Sequence, residues 1–248
     1  MQHFLPLALA GLLAGAMNAV AGGGSFVSFP VMVLVGLPPV AANATSTVAL
    51  FPGTVASTWA YREDLCGIAG ISLKVLLPIS LTGGLVGAIL LLVTPGAAFD
   101  TVIPWLLLLA TLTFAGGRNL GAWLRRYVRI GRVPFLIIQF VLSVYGGYFG
   151  GAIGLMMMAV WTLLDSAELK AMAPTRTLLV SAANGMAVLC FAVAGAVRWP
   201  EMFAMMFSAI AGGYYGARFA RHLPPAVLRV FVVLLSATVT VAFFLRRY

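Results

Sequence analysis

The chain has 248 residues, 62% of them hydrophobic and only 8% charged, with a mean hydropathy of +1.06. A soluble domain carries roughly a quarter charged residues, so this chain cannot cover a water-facing surface and reads as an integral membrane protein. The net charge of +9 might invite a nucleic-acid reading, but the basic residues cluster in loops between apolar runs. That is the positive-inside pattern, which concerns orientation rather than nucleic acid.

In chain order the apolar runs lie near 4–21, 25–37, 41–59, 71–93, 97–116, 133–150, 152–165, 171–197, 199–217 and 225–245. They show no period-2 alternation and are too long for barrel strands, so the expected fold is an all-α polytopic bundle. Eight runs are about long enough to cross ~30 Å of hydrocarbon. Two, 25–37 and 152–165, are short, and each follows a glycine-rich break. The first run ends in small residues like a signal peptide, but it lacks a basic n-region and recurs later in the chain, so it reads as retained structure. Cys66 and Cys190 offer neither a disulfide framework nor metal-ligand spacing.

The halves resemble each other. At an offset of 130, Leu12 matches Leu142, Gly24 matches Gly154, Thr45 matches Thr175 and Thr47 matches Thr177. At an offset of 129, LTGGLVGA (81–88) matches IAGGYYGA (210–217), and Pro95 matches Pro224. Matches in order, with a single one-residue shift, predict a duplication: one repeat over 1–117, a basic linker over 118–132 and a second repeat over 133–248. The linker carries Arg118, Arg125, Arg126, Arg129 and Arg132 and is expected in the cytoplasm. Counting spans from there places the 218–224 loop (Arg218, Arg221, His222) on the same side and the 94–100 loop outside. Asp100 stands where the second half has Arg229, and opposite charge on equivalent loops predicts inverted repeats with both termini outside. Arg246 and Arg247 run against that orientation.

Gly22, Gly23 and Gly24 interrupt an apolar run, although each glycine inside a helix costs roughly 1 kcal/mol relative to alanine. Non-helical backbone at membrane depth is tolerated where it is buried in protein or lines a wet cavity. Paired Gly-interrupted short segments in corresponding positions of two halves point to a transporter's central site. A helix starting there aims free N–H groups and about half a positive charge at the cavity, which suits an anion. Ser25 is the expected cap of the short helix, and Pro30 is expected to keep it short. The counterpart glycines Gly146, Gly147, Gly150, Gly151 and Gly154 fall at small-xxx-small spacing, which close helix packing also explains.

NATST (43–47) is expected to open a long helix, with Asn43 as N-cap and Thr45, Ser46 and Thr47 in the first turn. It reads as an anion cradle or as hydroxyls bonding back to their own helix. APTRT (173–177) stands at the equivalent place, so Thr175, Arg176 and Thr177 join the candidate site. An arginine within a span is costly, and its planar fork fits an oxyanion; the alternative is snorkelling to the interface. Asn18 and Asn184 fit inter-helix hydrogen bonding. Asp165 and Glu168 share a short loop with Lys170 and read as solvated. No carboxylate or histidine falls mid-span, so no proton relay is visible and a coupling ion, H+ or Na+, is not legible. No nucleophile–base pair, metal-ligand spacing or P-loop occurs, which argues against an enzyme and against a cofactor.

The stretch AGGGSFVSFPVMVLVGLPPVAANATSTVALFPGTVAS (21–57) resembles the sulfite exporter TauE/SafE family, with its glycine cluster, apolar run with proline, GLPP and A-x-x-T-S. GARFARHLPPAVLRVFVVLLSA (216–237) resembles that family's repeat ending. The second-half copy departs from the pattern, with GGAIGL for a fuller glycine cluster and APTRT for the Thr-Ser start. The resemblance implies a multi-pass cell-membrane carrier of a small anion such as sulfite, a sulfonate or another organosulfur anion. An anion channel and a non-transporting scaffold are the alternatives. Homo-oligomerisation is compatible with the sequence and not specified by it.

Overall fold

The computed structural model describes residues 4–21, 23–68, 70–124, 131–164, 169–220 and 225–247. Among them run ten α-helices: α1 (Phe4–Ala21), α2 (Ser25–Leu34), α3 (Pro39–Ala60), α4 (Leu73–Val93), α5 (Gly96–Leu124), α6 (Arg132–Tyr148), α7 (Ile153–Leu164), α8 (Leu169–Val193), α9 (Trp199–Ala220) and α10 (Pro225–Arg247). The only extended pairing among the described residues is an isolated bridge, Ile68 to Ile71, in the α3–α4 turn. Segments 73–93, 96–113 and 172–193 are each long and apolar enough to cross a membrane by themselves. Leu9, Leu34, Val193 and Phe207 stand exposed on the outside of the bundle, where a hydrocarbon solvent makes exposure cheap. The chain is a multi-pass helical membrane protein.

The helices fall at the apolar runs, but several ends differ from expectation. α2 is preceded by Gly24 as N-cap with no side-chain cap bond, so Ser25 is the first helical residue and not the cap. Pro30 lies inside α2 without ending it. The helix stops at Gly36, whose φ of +97° is open to glycine. Gly36 N–H bonds Val33 O and Leu37 N–H bonds Met32 O, a Schellman closure. α3 begins at Pro39, a residue suited to the first helical position because its missing N–H would have no partner there. Asn43–Thr47 therefore lies inside the helix, and Ala42 N–H already bonds Pro38 O. α8 likewise begins at Leu169, ahead of 173–177. Neither motif opens its helix, so neither offers the free N–H groups expected of it. α5 starts at Gly96, making Asp100 helical, and runs to Leu124, so its end enters the basic segment.

Close packing of small residues organises the bundle. A Cβ on Gly15 would fall on the Ala209 backbone and one on Gly212 on the Leu12 backbone, which brings α1 and α9 together backbone to backbone. In the same way Gly147 meets Gly84, and Gly87 meets Val144, across α4 and α6. Exchanging the two halves turns the α1–α9 pair into the α6–α4 pair. α3 lies against α8: Thr58 Oγ1 is 2.8 Å from Ser181 Oγ, and Phe51 packs at Gly185. The register runs up one helix and down the other, so the two are antiparallel. α5 and α10 are joined by Thr111 and Thr240, whose Oγ1 atoms are 3.0 Å apart, and by Trp105 against Phe244. This pair is antiparallel too, and Thr111 and Thr240 are equivalent positions at the 129-residue offset.

Candidate functional site

The two short helices begin at breaks. α1 ends at Ala21 and α2 starts at Ser25, while α6 ends at Tyr148 and α7 starts at Ile153. In the second break Gly150 has φ +76° and Ala152 has φ +60°, a left-handed backbone that costs alanine roughly 1–2 kcal/mol. The first N–H groups of a helix have no partner within it. Both starts open on one cavity of about 160 Å³, lined by Ser25 of α2 and by Ile153, Gly154 and Leu155 of α7. α3 contributes Thr47, Thr54 and Ser57, α8 contributes Arg176, Thr177 and Asn184, and α1 contributes Asn18. Tyr61, just past the end of α3, completes the polar wall.

Five of the candidate site residues read from the sequence meet here, Ser25, Thr47, Gly154, Arg176 and Thr177, together with Gly150 of the counterpart glycines. Thr47 and Thr177 donate their hydroxyl hydrogens to carbonyls one turn back, Thr47 to Asn43 O at 2.9 Å and Thr177 to Pro174 O at 2.7 Å. Their oxygens remain acceptors and their methyl and hydroxyl faces shape the wall.

The other candidates are placed differently. Asn43 donates to Tyr148 O at 2.8 Å, tying α3 to the end of α6. Thr45 Oγ1 accepts from Arg198 N–H at 3.0 Å, and its counterpart Thr175 accepts from Cys66 N–H at 3.3 Å while donating to Cys66 O. Each threonine thus fastens the loop entering a helix of the opposite half. Ser46 lies 2.6 Å from Ser28, hydroxyl to hydroxyl. Gly23 and Gly24 form the turn into α2: Phe26 N–H bonds Gly23 O, and Val27 and Ser28 N–H bond Gly24 O. Gly151 is buried beside the Phe149 ring. Gly22 lies outside the described residues, as do Asp165 and Glu168.

Arg176 is half-buried, and its Nη1 donates to Met158 Sδ at 3.1 Å. The Arg176–Met158 contact sits 130 residues after Ser46–Ser28, so the same inter-helix contact is a hydroxyl pair in one half and a guanidinium on a thioether in the other. Among the described residues the one ion pair is Arg62–Glu63, exposed at the α3–α4 turn; no carboxylate pairs with Arg176. Gly154 lies so close that a Cβ there would be 3.2 Å from Arg176 Cδ.

Asn18, Asn184, Thr54, Ser57 and Tyr61 line the cavity without having been singled out as site residues. Asn184 is 9% exposed, and its Oδ1 is buried with no hydrogen-bond partner. Its sequence counterpart at the 130 offset is Thr54. That polar pair, mid-helix in both halves, is a signal the repeat alignment carried.

The sulfite exporter TauE/SafE family model matches residues 7–243. The chain belongs to that family. Its TauE/SafE character extends over nearly its whole length, from α1 to α10. Similar proteins include a probable membrane transporter protein, ORF9, of a Sinorhizobium species, 28% identical over 95% of this chain and 90% of the relative. Another is a probable membrane transporter protein of Haemophilus influenzae, 28% identical over 93% of this chain and 90% of its own length. The probable membrane transporter protein YfcA of Escherichia coli K12 is 25% identical over 92% and 85%. No solved structure matches this TauE/SafE chain.

Proposed function

We propose that the protein is a secondary transporter of the cell membrane that carries a small anion, a sulfur oxyanion or sulfonate. One observation carries the reading: a half-buried arginine with no carboxylate partner among the described residues shares a cavity with the starts of two short helices. An unpaired charge at membrane depth is costly, and an anion supplies what the protein withholds. Guanidinium binds an oxyanion through two parallel N–H bonds, and the two helix starts add positive dipole ends. At about 160 Å³ the cavity is smaller than the roughly 300–1,000 Å³ of sites for drug-sized ligands, in keeping with an ion of few heavy atoms. The antiparallel pairing of α3 with α8 and α5 with α10 supports inverted repeats around this site, the architecture in which one half rocks against the other.

The test is substrate affinity in purified protein, by thermal stabilisation across sulfite, thiosulfate, sulfonates and carboxylates, followed by uptake in proteoliposomes. Sulfur oxyanions are expected to stabilise the wild type. Arg176→Lys keeps the charge but loses the fork, so affinity should fall about tenfold, for ~1.4 kcal/mol, and Arg176→Gln should fall further. Equal affinities of wild type and Arg176→Lys would remove the guanidinium from the site. Binding without saturable uptake would favour a scaffold, and flux at conductance levels a channel.

A further inference from the structure

The antiparallel α3–α8 pair has a centre. Contacts at Thr58–Ser181 and at Phe51–Gly185 set its register, and between them lie Thr54 and Asn184, counterparts at the 130-residue offset. Counterparts that face each other across an antiparallel pair mark its two-fold centre. From there Ser57 and Tyr61 follow α3 towards one end of the bundle, while their counterparts Ala187 and Phe191 follow α8 towards the other. Ser57 and Tyr61 line the polar cavity, and Ala187 and Phe191 do not. Tyr61 is 43% exposed, whereas Ala187 and Phe191 are each 0% exposed within the apolar core. The same register sets Phe191 level with Thr47, the last cavity-lining residue of α3 in that direction. Thr47 is buried, but its counterpart Thr177 at the Tyr61 end is half-buried. Two stretches that the repeat makes equivalent are thus in opposite states, one polar and open, the other apolar and sealed.

We infer that Phe191, with Ala187 one turn before it, is the closed gate of the carrier, and that Ser57 and Tyr61 mark the open one. Transport exchanges the two: the Phe191 ring leaves the core and admits water to the cavity from its own end, while the Tyr61 end shuts. The inference rests on the proposed transporter reading and adds which end is sealed and by which side chain. The residue types fit their states. A phenyl ring brings no polar atom into an apolar seal, where an unpartnered hydroxyl would be costly. A tyrosine at the open end packs its ring and keeps its hydroxyl wet.

The experiment measures the rate at which a charged, membrane-impermeant thiol reagent, MTSET, modifies Ser57→Cys and Ala187→Cys. Each is made in the full-length protein with Cys66 and Cys190 replaced by serine, in nanodiscs, where both ends meet water. Ser57→Cys is expected to react at least about tenfold faster than Ala187→Cys, a population difference of ~1.4 kcal/mol or more between the two open states. Adding Phe191→Ala should raise the Ala187→Cys rate by about tenfold or more, since the packing of a buried ring is worth more than that. Phe191→Tyr is the gentler variant, and it should raise the same rate because its hydroxyl is badly placed in the sealed state. Equal rates at the two positions without a Phe191 substitution overturn the gate. So does an Ala187→Cys rate that neither Phe191 variant changes. A rise at both positions overturns it too, because it reports a loosened fold. The labelling needs no anion, so failure of sulfite to bind is a separate outcome, which removes the anion site and leaves the gate to be judged by these rates.

Discussion

At the scale of single residues, the position of the Arg176 guanidinium depends on a missing side chain. A methyl group at Gly154 would sit 3.2 Å from Arg176 Cδ and 3.6 Å from Nε, so the arginine, being the flexible partner, must move by a few tenths of an ångström. Gly154→Ala should therefore insert and fold normally while losing anion affinity by up to about tenfold, since small misplacements of a binding group are costly. A thermal melt of the apo protein beside a binding isotherm separates the two effects; an unchanged isotherm would show that the guanidinium does not need its present place. Asn184 supplies the converse case. Its buried Oδ1 lacks a donor, which costs roughly 1–3 kcal/mol. Asn184→Leu should raise the melting temperature of the apo protein and reduce the extra stabilisation given by sulfite. A lower apo melting temperature would mean that the amide serves packing between helices instead.

Whole elements are positioned by glycines that permit backbone contact. α4 is the clearest case, because Gly84 meets the Ala183 backbone of α8 on one side and Gly147 of α6 on the other. Any branched side chain at position 84 must push two helices apart, and Gly84→Val should cost about 1–3 kcal/mol or more by overpacking. Gly116 of α5 is the control: a Cβ there meets nothing within 4 Å, so Gly116→Ala should cost nothing and gain up to ~1 kcal/mol of helix propensity. Melting curves in one detergent test the pair, and equal loss in both variants would contradict the packing argument. The same elements hold the site, since α4 and α6 brace α8, the helix that carries Arg176 and Asn184.

Across the whole molecule, two pairs of equivalent helices, α3 with α8 and α5 with α10, meet antiparallel, and equivalent threonines, Thr45 and Thr175, each fasten a loop of the other half. An odd number of crossings per half would produce this arrangement, with Asp100 outside and both Cys66 and the 118–132 segment in the cytoplasm. In a background with Cys66 and Cys190 replaced by serine, single cysteines at positions 66, 100 and 126 can be labelled in intact cells with an impermeant thiol reagent. Label at 100 and none at 66 or 126 is the expected result. Reaction at 126, or silence at 100, would overturn the inverted orientation.

Much of this protein was legible in the chain itself, because the relevant physics is local or periodic. Apolar runs fixed ten helices near their observed places, the glycine breaks marked the two short ones, and the 130-residue offset paired the halves. That offset matched Thr47 with Thr177, and both line the cavity. Helix ends were read less well where two local signals competed: Asn43 is a good cap, but Pro38–Pro39 already starts α3, and Gly36 rather than Pro30 stops α2. Tertiary structure alone decided which polar groups face the cavity. Asn43, Thr45, Ser46 and Thr175 have the same chemistry as the residues that line it, yet Tyr148, Arg198, Ser28 and Cys66 engage them. A hydroxyl's type and spacing give its helical face, whereas its partner comes from a segment roughly 20 to 150 residues away, brought near only when the helices pack.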